Sequence, residues 1–268
     1  MPQAHASIGV VGGSGLYTLL GDDAEQVIVD TPWGEPSEAV SVGELGGQTV
    51  AFLPRHGRDH RVPPHRINYR ANLWALRSLG VERVLAPCAV GSLRAALAPG
   101  GVVVCDQLVN LTRGRADTFF DGPDVAHLSA PDPYCAELRP AAAAALRAAG
   151  MPTHDAGTVM VVDGPRFATR AESRLYAQWG GDVVNMTQYP EVMLARELGM
   201  CYVALAVVTD YDAGLASAPE VPAVTQEEVF TVFTRALDAL RQALHRLVER
   251  IPRQRGCVCA QVPQAINH

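Results

Sequence analysis

A chain of 268 residues, 48% hydrophobic and 19% charged, is long enough to bury one large core and has the balance of an ordinary globular protein. Its net charge of −6 excludes a broad basic face for nucleic acid or an anionic membrane, so any anionic ligand has to be caught in a local basic pocket. No apolar run has the length of a membrane span, the start Met1-Pro2-Gln3-Ala4-His5 lacks a signal peptide's basic region, and the six cysteines show neither zinc-site nor disulfide-framework spacing.

These features predict one cytoplasmic domain over residues 1–252, with no metal, followed by a tail over 253–268 whose Cys257-Val258-Cys259 reads as part of a flexible end, with a redox or metal role as the alternative. Along the chain, Ile8-Gly9-Val10-Val11 reads as a short buried strand. It runs into Gly12-Gly13-Ser14-Gly15, where glycines free consecutive N–H groups to face an anion or simply make a tight turn. The loop matches neither a dinucleotide fingerprint nor a P-loop. After turns at Trp33-Gly34-Glu35-Pro36 and Gly46-Gly47, the strand Thr49–Leu53 leads into Pro54-Arg55-His56-Gly57-Arg58. Arg55 and His56 at a strand end suit a phosphate, as a bidentate clamp or a charge-assisted pair; a solvated basic loop is the plainer reading.

Residues 68–79 have helical periodicity, end at Gly80 and feed the strand Arg83–Ala86, a βαβ unit. That strand opens into Pro87-Cys88-Ala89-Val90-Gly91-Ser92, small residues that let a flat ligand or an anion approach the backbone. A strand over 101–109 precedes a long loop over 112–134 that contains His127, a length that suggests function. A helix over 136–149 follows, with Pro140 in its first turns, then a strand over 158–162 ending in Asp163-Gly164-Pro165-Arg166-Phe167. Thr169-Arg170-Ala171-Glu172 is a capping box; Val183–Thr187 repeats the pattern of a strand with a polar end, ahead of a helix over 190–198.

The apolar run Cys201–Ala206 and its continuation Val207-Val208-Thr209-Asp210-Tyr211-Asp212 put two carboxylates where a buried strand ends, the usual ligand side of an open α/β sheet. On an extended chain Asp210 and Asp212 share a face, and close carboxylates push one another's pKa apart; a strand followed by a solvated turn is the alternative. The last helix, from about Thr225 to Arg250, carries an apolar stripe from Val229 to Leu247.

Taken together, Gly12-Gly13-Ser14-Gly15, Arg55-His56-Gly57, Gly91-Ser92-Leu93, Gly164-Pro165-Arg166-Phe167, Asn185-Met186-Thr187 with Pro190-Glu191, and Thr209-Asp210-Tyr211-Asp212 occur in an order that resembles the 5′-methylthioadenosine phosphorylase branch of the trimeric purine nucleoside phosphorylases, from about Ile8 to Ile251. The resemblance implies an α/β fold with a mixed central sheet flanked by helices, a homotrimer with active sites near subunit boundaries, no metal or organic cofactor, and phosphate as co-substrate. It implies a phosphate site of Ser14, Arg55, His56, Cys88, Ala89 and Thr187. It puts Met186 along the ribose, Phe167 on the base, and Thr209, Asp210 and Asp212 at the adenine edge. His127 of a neighbouring subunit, Val229 and Phe230 would surround the 5′ substituent. Cys88 departs from the pattern, standing where many relatives have a hydroxyl residue; a thiol is a weak donor. Gln188-Tyr189 is not universal and receives no role.

The residue types agree with that chemistry. Breaking the ribose C1′–N9 bond builds positive charge on the sugar and negative charge on the purine, so it needs a nearby anion and a proton source. Bound phosphate is the anion and the nucleophile, a protonated Asp210 supplies the proton at N7, and a carboxylate at Asp212 or Asp210 accepts from the exocyclic amine and selects adenine. The competing expectations are a 6-oxopurine nucleoside phosphorylase, against which Asp210 argues, and a nucleoside-binding protein without catalysis.

Overall fold

The computed structural model describes residues 5–13, 15–21, 23–215 and 222–261. Short apolar runs become strands and amphipathic runs become helices: β1 (Ile8–Gly12), β2 (Glu25–Val27), β3 (Val40–Leu45), β4 (Gln48–Pro54), α1 (Tyr69–Ser78), β5 (Arg83–Ser92), β6 (Val102–Val103) and β7 (Gln107–Asn110). They continue with α2 (Leu138–Ala148), β8 (Thr153–His154), β9 (Thr158–Val161), α3 (Arg170–Gln178), β10 (Val183–Asn185), α4 (Gln188–Glu197), β11 (Cys201–Asp210) and α5 (Gln226–Arg250). The strands form one mixed sheet. Its faces are covered by helices, as expected for the α/β class, and no described helix is long and apolar enough to cross a membrane.

Strand β11 shows how the sheet divides the core. All of it is buried; Tyr202, Ala204, Ala206 and Val208 join one apolar cluster with α1 and α4, while Cys201, Val203, Leu205 and Val207 join the other with α2 and α5. The alternation is the strand's two-residue period, and a continuous apolar run satisfies it only because both faces are covered. At roughly 1.5–3 kcal/mol per buried Val, Leu or Ile side chain, this strand and its neighbours anchor the fold.

The pairing registers create the site. β11 occupies one edge of β5 from Arg83 to Gly91. The other edge is shared: parallel β1 pairs with Arg83–Leu85, and antiparallel β10 pairs with Gly91 and Ser92. Residues 86–90 are therefore left without a strand on that edge, and the C-terminal ends of β1 and β10 point into the gap from opposite directions. Pro87 is tolerated in a central strand for the same reason. Its carbonyl accepts a side chain across the open edge, so its missing N–H falls where no ladder asks for one.

Three expectations are revised. The strand expected over 101–109 is two strands, β6 and β7, because the chain leaves β11 and crosses to β9 between them. The strand expected over Arg83–Ala86 continues to Ser92, held by β11 as far as Gly91 and by β10 at its end. The tail expected to be flexible is held against the domain as far as Cys259. Arg83 Nη2 donates to the carbonyls of Pro252 (2.7 Å) and Arg253 (3.2 Å), Arg255 Nη1 to that of Gly199 (2.7 Å), and the Gly256 N–H to Glu137 Oε2 (2.6 Å). These partners lie far away in sequence, so no local pattern announces them; residues 262–268 are outside the described residues.

Candidate functional site

The gap beside β5 opens into a cavity of about 430 Å³, floored by Pro87–Gly91 and walled by residues from the segment after β4 and from β10, β11 and α5. Of the residues singled out in the sequence, Arg55, His56, Cys88, Ala89, Phe167, Met186, Thr187, Thr209, Asp210, Asp212, Val229 and Phe230 all line it. Ser14 lies outside the described residues, although its neighbour Gly13 lines the same cavity. His127 is exposed on the long loop and is not among the residues lining the cavity of its own chain.

At one end sits Arg55, 2% exposed. Its Nε and Nη2 form a fork with Glu191 at 2.7 and 2.8 Å, Nη2 also donates to Val11 O at 2.9 Å, and Nη1 donates to Pro87 O at 3.1 Å. Burial opposes the charge, but the Glu191 carboxylate outweighs it and holds the guanidinium above its ordinary pKa. Four of the five guanidinium N–H groups are thus committed, and the expected bidentate clamp on phosphate is not available. A single N–H and a local positive potential remain for a ligand.

His56 also departs from expectation. Its Nδ1 lies 2.9 Å from the Val62 carbonyl, which only accepts, so Nδ1 carries the hydrogen and Nε2 is left with a lone pair. Burial, then the neighbouring His60 and Arg55, push its pKa down to about 3. The ring is therefore neutral, stacked on His60 with centroids 4.1 Å apart, and it is an acceptor rather than half of a charged pair. The Cys88 thiol is buried, and burial raises it to about 11; Gln188 Nε2 donates to its sulfur at 3.6 Å. Gln188, given no role in the sequence, spans Cys88, Cys105 and Tyr134 and fixes this corner.

Asn185 is the positioning residue that the sequence reading left without a role. Its Oδ1 accepts from the N–H groups of Thr187 and Gln188, both at 2.7 Å, and its Nδ2 donates to Ala89 O at 2.9 Å. One amide thereby ties the end of β10 and the start of α4 to the open edge of β5. Arg115 plays a similar part from the long loop, donating from Nη2 to the carbonyls of Met186 and Asp163, each at 3.0 Å. The length of that loop was the only signal of its importance.

At the other end, Asp210 Oδ1 accepts the Asp212 N–H at 2.7 Å and Oδ2 lies 2.6 Å from the Thr209 hydroxyl, itself 3.3 Å from Val90 O. Thr209 has one proton for two acceptors. When Asp210 is protonated, it donates to Thr209 and Thr209 donates to Val90, so the chain is satisfied in either state. Burial raises Asp210 from 3.8 to about 6, against the bonds from Thr209 and the Asp212 N–H. The shared pocket does not come from extended alternation. The strand ends at Asp210 after an irregularity between Val208 and Asp210, and Asp212 takes a left-handed φ of 47° that turns its carboxylate back. Asp212 Oδ2 is buried without a hydrogen-bond partner, and burial raises this carboxyl too. A buried acceptor left open beside a cavity is a position for a ligand donor.

Gly91 makes that closure possible. A Cβ there would lie 2.8 Å from Asp210 Oδ1 and 3.1 Å from Asp212 Cβ. Gly91→Ala is expected to displace both carboxylates, at about 1–3 kcal/mol of overpacking, and to lower kcat/KM roughly 10- to 100-fold without changing the fold. Steady-state kinetics alongside circular dichroism checks it.

Between the two ends, Phe167 is 37% exposed and Phe230 38% exposed, both in the cavity wall. Phe230 meets His60 edge-on with centroids 5.9 Å apart, so it belongs to the cavity and not to the helical core, which begins at Phe233.

The chain matches the model of the phosphorylase superfamily over residues 7–250. It is 52% identical to the purine nucleoside phosphorylase of Streptomyces coelicolor over 96% of this chain and 94% of that protein. It is also 52% identical to the S-methyl-5′-thioadenosine phosphorylase of Mycolicibacterium smegmatis, over 93% of each. Among solved structures, it is similar to a methylthioadenosine phosphorylase from an antarctic soil metagenomic library, with a TM-score of 0.90, 38% identity and coverage of 98% of this chain and 93% of the other. It is similar as well to the Schistosoma mansoni methylthioadenosine phosphorylase in complex with adenine, with a TM-score of 0.85, 34% identity and 91% of each chain covered.

Proposed function

Because the chain belongs to the phosphorylase superfamily, we propose that it cleaves 5′-methylthioadenosine, or a related 5′-deoxy-5′-substituted adenosine, with phosphate, giving adenine and a 5-substituted ribose 1-phosphate. The observation that carries this reading is the pair of unequal carboxyls at one end of the cavity. Asp210, raised to about 6, holds a proton for purine N7, and the open Oδ2 of Asp212 accepts from the exocyclic amine. A 6-oxopurine would bring an acceptor against that same oxygen, so the alternative of a 6-oxopurine phosphorylase is disfavoured despite the name of the Streptomyces relative. A poised acid beside an anion site likewise argues against a protein that only binds nucleosides.

Phosphate is assigned to the opposite end, with Ser14, Arg55, His56, the backbone at Cys88 and Ala89, and Thr187. Arg55 supplies one N–H and the local positive potential. Neutral His56 accepts at Nε2 from the P–OH of hydrogen phosphate. The Cys88 thiol, turned to Gln188 and buried, is left out of the direct contacts. As the C1′–N9 bond breaks, a phosphate oxygen bonds C1′ and its charge offsets that of the sugar. Asp210 exchanges its bond to Thr209 for one to N7 and delivers its proton there. Phe167 stacks on the base, Met186 lies along the ribose, and Val229 and Phe230 face the 5′ group. No cofactor is required by these steps.

Adenine release from a panel of 5′-substituted adenosines, with and without phosphate, tests the reading. Turnover is expected only with phosphate, and the apolar wall should favour methylthio, halogen or hydrogen over hydroxyl by roughly 1 to 3 kcal/mol, or 10- to 200-fold in kcat/KM. Phe230→Leu is expected to shift the panel toward larger 5′ groups; undiminished turnover without phosphate would reject phosphorolysis. The family resemblance and the exposure of His127 away from its own cavity support a homotrimer in which His127 serves a neighbour's 5′ pocket, for which sedimentation of the active species is the measurement. Six free thiols agree with a cytoplasmic location.

A further inference from the structure

Four of the six cysteines have no part in the nucleoside site, and the fold gathers them. Cys135 precedes α2, Cys201 opens β11, and Cys257 and Cys259 lie in the docked segment after α5. Their Sγ atoms all lie within 4.8 Å of one another, and those of Cys201 and Cys257 approach to 3.3 Å. The sequence hides this because three separate segments contribute, and the expectation of no metal rested on cysteine spacing and on the family resemblance. Zinc held by four thiolates at about 2.3 Å places the sulfurs on a tetrahedron with edges of roughly 3.8 Å, so the observed cluster has the size such a site needs.

Two further features point to an anionic tetrathiolate. Arg196 is 9% exposed and its Nη1 donates to Cys259 Sγ at 2.9 Å. Its Nε has no hydrogen-bond partner, and no carboxylate pairs with it among the described residues. A buried guanidinium without a counter-charge is strongly unfavourable. Four thiolates around a divalent metal carry two net negative charges and supply what Arg196 lacks. The Leu138 N–H donates to Cys135 Sγ at 3.4 Å, a contact that orients a sulfur ligand.

We propose that Cys135, Cys201, Cys257 and Cys259 form a structural site for a soft divalent metal, zinc foremost, that fastens the C-terminal segment to the start of β11 and to the N-terminal end of α2. Four thiol protons leave for solvent as the metal enters, and no electron is transferred. With four protein ligands, the site has no open position for substrate.

Protein purified with reductant and without chelator, then dialysed against zinc, is expected to hold about one zinc per chain by elemental analysis. Cobalt in its place is expected to give thiolate-to-cobalt charge-transfer absorption and tetrahedral d–d bands. Four thiols should resist alkylation until a chelator is added, and the chelator should lower the Tm. Cys257→Ser/Cys259→Ser should lose the metal and the chelator sensitivity together. If that variant does not fold, metal content and thiol counting on the natural sequence still decide. Folded reduced protein that takes up neither metal with four reactive thiols, or peptide maps showing these cysteines joined in disulfides after anaerobic preparation, would overturn the proposal.

Discussion

Asp210→Asn is expected to lower kcat/KM for adenine release by roughly 10²- to 10⁴-fold, the range for losing a positioned general acid. The amide retains an acceptor for the Asp212 N–H and a group toward Thr209, so the geometry survives while the transferable proton does not. The pH dependence carries the signature. With Asp210 at about 6 in the free protein, the protonated form is depleted as pH rises through that value, and kcat/KM for adenine nucleosides should fall there; the Asn variant should lack that limb. Because Asn offers a donor where Asp210 offers an acceptor when ionised, relative activity on inosine-type substrates should rise. Equal loss on both substrate types, with the pH limb retained in the Asn variant, would assign Asp210 a structural role.

The same substitution should stabilise the protein. A carboxyl raised from 3.8 to about 6 means that the folded state binds more protons than the unfolded state in that window, so stability falls as pH rises from 3.8 to about 6 and the full penalty is present above it. At neutral pH the penalty is roughly 3 kcal/mol. Urea midpoints of the two proteins should converge near pH 4 or below and separate above about pH 6, with Asn the more stable. A buried carboxyl with a raised pKa beside the cavity would thus weaken the fold around it once ionised.

The strands and helices were largely legible because their signals are local. The unbroken apolar run of β11, the capping box at Thr169, where Thr169 Oγ1 accepts the Glu172 N–H at 3.2 Å, and the stripe of α5 each need only their own residues. Cavity-lining residues were legible where strands end in polar groups, as at Arg55, Thr187 and Asp210. What the sequence could not convey depends on pairs distant along the chain. Arg55 looks like a free cation until Glu191, 136 residues on, takes its fork. His56 looks like a second cation until Val62 and burial make it neutral. Asn185 and Arg115 act through carbonyls and amides that any sequence supplies. The tail and its thiols read as frayed because their partners, Cys135 and Cys201, are far upstream.

Glu191→Gln and Arg55→Met are each expected to destabilise the protein by roughly 3–5 kcal/mol, since either leaves one charge buried without its partner. The pair is fully enclosed, with side-chain exposures of 2% and 0%, and Glu191 Oε1 also accepts the Tyr202 hydroxyl at 2.8 Å. Arg55 joins Val11 of β1, Pro87 of β5 and α4, so its loss should loosen the open edge of β5. The double variant Arg55→Met/Glu191→Met separates the two roles of the pair. Apolar side chains of similar volume in place of a buried ion pair are often neutral or better, so the double variant should recover much of the stability lost by either single change. It should not recover phosphate binding. One charge-assisted bond is worth about 1.5–3 kcal/mol, so the phosphate KM of the double variant is expected to rise roughly 10- to 150-fold with a far smaller change in nucleoside KM. Denaturant midpoints give the first quantity and phosphate titrations the second. A double variant that is stable and keeps its phosphate KM would confine Arg55 to the scaffold and leave phosphate to the backbone, His56 and Thr187.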